Sequence, residues 1–187
     1  MEIPGAMKTI ISLFAILLLL LPSGLRSQEL VIDETFGDQG MTKIPEFDLI
    51  SRMEFDRKGN ILIVGQPEHL LWKQTIFRVD STGIVDKSFG NEGFLPLPFD
   101  HFSVINMGLD SNNNILITGI SMEHNLVVIR VTDSGVLDDT FGDQGIFKFS
   151  GLGYSPIIKS VIHQSDDKIL ILGAYSYSFS EPGSSDH

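Results

Sequence analysis

The 187-residue chain carries 24 acidic against 13 basic side chains, a formal charge of −11, and no cysteine. Such a balance repels phosphate backbones and anionic lipid, and no basic run with interleaved aromatics offsets it, so nucleic acid is not an expected partner. The absence of cysteine excludes disulfide staples, thiolate metal sites, thiol nucleophiles and the lipid-bearing cysteine of a bacterial lipoprotein.

Residues 1–27 read as an export signal. Lys8 supplies a positive start, residues 10–21 form a predominantly apolar stretch of twelve, and Pro22, Ser23 and Gly24 break it. Twelve residues are too few to cross a bilayer comfortably, which argues against an uncleaved membrane anchor. Cleavage after Ser27 leaves Gln28 first, cutting after Gly24 is the alternative, and Glu2 makes Met7 a competing start. Without Lys8, Arg26 and Glu2 the remaining residues, 28–187, carry 11 basic and 23 acidic side chains, a formal charge of −12. The expected location is periplasmic, secreted or at the cell surface. An exported chain without staples must be held by its core, and a domain of this length buries about 68–70% of its unfolded surface.

Past the leader, one pattern recurs: Asp-x-(Ser/Thr)-Phe-Gly-x-x-Gly at Asp33, Phe36, Gly37 and Gly40, at Asp86, Phe89, Gly90 and Gly93, and at Asp138, Phe141, Gly142 and Gly145. The spacings are 53 and 52 residues, and the first and third copies agree at seven of eight positions. Self-similarity at a fixed period marks an array of one supersecondary unit. The units are drawn at about 41–93, 94–145 and 146–187.

Four extended segments fit each complete unit. The first, 41–44, 94–97 and 146–149, contains Pro96 and is trailed by Pro45 and Pro98; proline donates nothing to a ladder, so this strand belongs at a sheet edge. The second, 50–55, 104–109 and 157–163, is partly apolar. The third, 61–65, 115–119 and 169–173, is apolar at nearly every position and ends in glycine, the mark of a central strand buried on both faces. Ahead of it lie Gly59, Asn113 and Asp167, residue types that tolerate positive φ, which predicts a hairpin with a type I turn and a left-handed residue. The fourth, 74–79 and 126–131, contains Arg78-Val79 and Arg130-Val131 before a glycine turn. No third copy of that strand is present, and helical periodicity is absent from residues 28–187.

A repeat of about this length with four antiparallel strands is what a β-propeller blade requires. Together, the Phe-Gly motif, the Ile-Leu-Ile hairpin and the Arg-Val strand resemble the delta-60 repeat of exported bacterial proteins, over residues 30 to about 175. The resemblance implies a β-propeller-like fold and supplies no catalytic residues. Eleven strands fall short of the four blades of four that closed propellers usually need, so the expected fold class is all-β, an incomplete array of about three four-stranded blades with the third cut short. An open arc exposes apolar faces and strand edges, which invites self-association or marks the front part of a longer protein. A β-trefoil closes with three units of four strands and is the architectural rival.

The acidic loops (Asp33, Glu34 and Asp38; Asp86, Asn91 and Glu92; Asp138, Asp139 and Asp143) hold hard oxygen donors of the kind calcium takes, but their spacing matches no calcium loop and they read as turns between blades. Residues 110–114 begin like an EF-hand and then lack its glycine and its closing glutamate. No cofactor is expected. Arg78 and Arg130 each precede their unit's motif aspartate, Asp86 and Asp138, by eight residues, so each pair is set to form an ion pair fixing the blade junction. Glu68-His69 and Glu123-His124 are out of register with each other and read as solvated loops. Nucleophile-elbow, zinc-hydrolase, phosphate-loop and dinucleotide motifs are all missing, and a propeller's channel strands, taken as those carrying Met41, Ile44, Phe94, Leu95, Ile146 and Phe147, are mostly apolar. The reading is a non-catalytic exported repeat protein that offers a protein or glycan ligand a binding or scaffolding surface. The alternative is the front of a propeller hydrolase or lyase whose active centre lies in further blades.

Overall fold

A computed structural model describes residues 13–14, 31–44, 47–70, 72–150, 157–164 and 168–174. The rest of the expected leader, Pro45, the 151–156 loop, the third hairpin turn at 165–167 and the stretch from 175 onward lie outside the described residues.

The described residues form an all-β structure with no helix. The strands are β1 Leu13–Phe14, β2 Met41–Thr42, β3 Phe47–Phe55, β4 Ile61–Pro67, β5 Lys73–Val79, β6 Phe94–Asp100, β7 Ser103–Leu109, β8 Ile115–Ile120, β9 Leu126–Val131, β10 Ile146–Phe149, β11 Ile157–His163 and β12 Ile169–Ala174. Every pairing is antiparallel, in two four-stranded sheets ordered β3-β4-β5-β6 and β7-β8-β9-β10 and two two-stranded ones, β11-β12 and β1-β2. Consecutive strands are neighbours throughout the four-stranded sheets, which is a meander rather than the strand plan of a trefoil. Among the described residues the sheets do not close into a ring.

Sheet limits and sequence period are out of phase. The repeat is drawn from 41 to 93, whereas the first sheet runs from 47 to 100, because the chain doubles back through the Phe-Gly turn and lays β6 beside β5. For the same reason the strands carrying Met41, Phe94, Leu95, Ile146 and Phe147 are not the ones at which sheets converge. β6 and β10 stand at the far edges of their sheets and β2 pairs with β1, while β3 lies against β7 and β7 against β11. Each of these three first strands also bulges at one repeat position, Ser51, Ile105 and Lys159, where the register shifts. A bulge frees backbone groups from the ladder, and two links cross between first strands nearby: Arg52 Nε donates to the Ile105 carbonyl at 2.6 Å and Asn106 Nδ2 to the Val161 carbonyl at 2.7 Å.

The central strands β4, β5, β8 and β9 are buried on both faces, and alternation sorts their side chains. Ile61, Ile63, Phe77 and Val79 face one way, onto Phe36, Ile44, Phe47, Ile50 and Phe94. Leu62, Val64 and Ile76 face the other way, into a cluster with Met107, Ile115, Ile117, Val127, Ile129 and Val131 of the second sheet. The back of one sheet is thus the bed for the front of the next.

Candidate functional site: the polar junction and the loop surface

The hairpin between β3 and β4 turns through Gly59 at φ +84°, and that between β7 and β8 turns through Asn113 at φ +67°. In each, the leading aspartate organises the turn. Asp56 Oδ1 accepts from the Lys58 and Asn60 amides, and Asp110 Oδ1 from the Asn112 and Asn114 amides, all at 2.8–2.9 Å. Residues 110–114 are therefore a hairpin turn whose carboxylate is engaged by its own backbone.

The three Phe-Gly motifs share one construction. Asp33, Asp86 and Asp138 each accept the hydroxyl and the amide of the residue two on, Thr35, Ser88 and Thr140, with the hydroxyl bonds at 2.6 Å. Those hydroxyl bonds are the first cause holding all three carboxyls below the ordinary aspartate value; Arg78 adds to the effect at Asp86 and Arg130 at Asp138. The first glycine of a motif docks on the glycine turn of the following sheet. Gly37 donates its amide to the Thr82 carbonyl and Gly90 to the Ser134 carbonyl, both at 2.8 Å. A methyl group on Gly135 would collide with the Gly90 backbone, so bare glycine faces bare glycine there. Gly40, Gly93 and Gly145 close the motifs at positive φ.

Arg78 and Asp86 meet: Asp86 Oδ2 lies 2.8 Å from both Nε and Nη2 of Arg78. The guanidinium also stands 5.0 Å above the Phe89 ring, donates Nη1 to the Asp133 carbonyl at 2.7 Å and lies 3.9 Å from the buried Asp56 carboxylate. Asp133 belongs to the second sheet, so the cluster bridges two sheets. It is joined there by Lys58 and by Asn113 Nδ2 at 2.9 Å, while Arg57 donates to the Ser111 and Asp110 carbonyls. Arg130 and Asp138 meet as well, with Nε 2.7 Å from Oδ2 but poorly aligned for a hydrogen bond. Nη2 of Arg130 donates to Thr140, and its guanidinium sits 4.6 Å from the Phe141 ring. No third-sheet residue among those described adds to this second set.

Chemically, the junction is a salt-bridge network. Its carboxylates are occupied by amides, hydroxyls and guanidinium groups, and among the described residues no three His, Asp or Glu side chains are grouped to hold a metal. The paired arginines and aspartates were legible from spacing alone; Asp133 was not, because its role arises from a neighbouring sheet. Glu123 accepts a bond from Asn125, and His124 holds a left-handed turn position at φ +61°. The loop after β4 presents a different feature. Trp72, exposed and at φ +74°, stacks on His101 with ring centroids 4.7 Å apart, and the Trp72 carbonyl accepts the His101 amide. Sequence reasoning missed this pair, since 29 positions separate partners that no repeat motif contains.

No family model matches the chain, and neither a curated protein nor a solved structure matches it.

Proposed function

We propose that the chain is a non-catalytic, exported repeat protein whose sheets stack as propeller-like blades and whose loops present a recognition surface to a protein or glycan. The resemblance to delta-60 repeats and the leader-like residues 1–27 support the exported blade reading. The observation that carries the non-catalytic reading is the engagement of the polar junction: among the described residues the motif aspartates and arginines hold one another and the turns. Recognition falls instead to the loops, where Trp72 offers an exposed aromatic face held by His101. Aromatic faces of this kind serve sugar rings and apolar peptide side chains alike.

A glycan array and a pull-down from the exported proteins of the source cell test the reading, with Trp72→Ala as control. The expected result is a ligand whose binding falls at least about tenfold in Trp72→Ala while the circular dichroism spectrum is unchanged. Turnover in a panel of glycoside, ester and peptide substrates would refute the non-catalytic reading, and binding untouched by the substitution would refute the loop assignment.

A further inference from the structure

We infer that a second copy of this chain docks head to tail on the uncovered face of the β11–β12 sheet, with Leu170 and Leu172 of one copy seated over Met53 and Phe55 of the next. The inference rests on the stacked-sheet reading above and names the partner that reading implies.

The repeat itself shows what this face fits. Leu62, Leu116 and Leu170 occupy one position in three successive sheets and are 0%, 3% and 56% exposed. Val64, Thr118 and Leu172 occupy another; the first two are fully buried and Leu172 is 65% exposed. Ile162 pairs with Leu170 and Ser160 with Leu172, so these side chains share a face, and they line a hollow of about 250 Å³. At the other end of the stack the deficit is complementary. Met53, on the front of the first sheet, is 43% exposed, and Phe55 beside it is exposed too; Met107, at the place equivalent to Met53, is buried. Met107 is covered in one cluster with Leu62 and Val64, the back-face pair of the sheet before it. The chain therefore already contains the docking mode: a Leu/Val back pair covers a front methionine. Leu170 and Leu172 are a back pair left more than half exposed, and Met53 is a front methionine only partly covered. Because the two surfaces differ, the contact is heterologous, and it either closes a ring or propagates.

The test is the mass of the full chain in solution, by size-exclusion chromatography with light scattering, for the wild type, Met53→Glu and Leu172→Glu. Wild type should show at least about twice the monomer mass at tens of micromolar, and association should tighten with salt because screening weakens repulsion between copies of charge −11. Each variant alone should be monomeric. Mixed together they should give a dimer and nothing larger, since each mixed pair retains one intact front and one intact back. A monomeric wild type overturns the proposal. So does a Met53→Glu protein that stays assembled, which would indicate back-to-back contact or association through the shared apolar residues 10–21. Both substitutions are at exposed positions, so loss of β-sheet circular dichroism in either would instead strike at the stacked-sheet reading beneath the proposal.

Discussion

Arg78 and Arg130 occupy the same place in two sheets and hold the same motif aspartate, yet their surroundings diverge. Arg78 is 7% exposed and is gripped from the next sheet by Asp133; Arg130 is 22% exposed and, among the described residues, is held by its own sheet's Asp138, Asp110 and Thr140. The motif phenylalanines follow suit, Phe89 being fully buried and Phe141 half-buried. A repeat unit thus carries half of each interface, and its residues acquire their energetic weight from the neighbour that supplies the other half.

The largest expected effect breaks this comparison directly. Arg78→Met takes the guanidinium away from the buried Asp56 carboxylate and from Asp86 and should cost about 3–5 kcal/mol in denaturant unfolding; Arg130→Met should cost about 1 kcal/mol. Equal losses would show that the next sheet contributes nothing. Leu62→Ala comes second, at about 2–5 kcal/mol, against about 0.5 kcal/mol or less for Leu170→Ala measured in dilute solution, where copies stand apart. A costly Leu170→Ala under those conditions would mean that its face is covered within one chain.

The smallest effect concerns His163, which stands where the other sheets have Leu109 and Phe55. Its ring rests on Gly108, with Nε2 3.4 Å from Thr118 Oγ1 and Nδ1 buried without a partner. Burial pushes its pKa below the ordinary 6.5. The depressed value means the unfolded chain takes up the proton first, so the His163 contribution is complete above pH 6.5 and declines as pH falls through the folded value. The unfolding midpoint should therefore drop modestly between pH 7.5 and 5, and His163→Leu should flatten that slope. An unchanged slope in the variant would place the titrating group elsewhere.

Much of this architecture was readable beforehand. The Ile-Leu-Ile runs had to be central because apolar residues at consecutive positions need cover on both faces, and Pro96 and Pro98 had to stand at an edge because they cannot donate. The arginine–aspartate pairs followed from an eight-residue offset across a glycine turn. What escaped is non-local: Asp133 as a bridge, the Trp72–His101 stack, and which edge of each sheet meets its neighbour. The sheet limits differ from the repeat limits because a period can be cut anywhere, while hydrogen bonding assigns β6 to β5 only once the chain has folded back.

The sequence by itself determined the unit, its turns and the alternation of its strands, since these depend on local sterics, on side chains that bond their own backbone and on a period of two. Only the tertiary structure decided which equivalent residues are buried. Leu62 and Leu170 are the same residue at the same register, and the presence or absence of an adjoining sheet separates them, because burial belongs to a pair of surfaces.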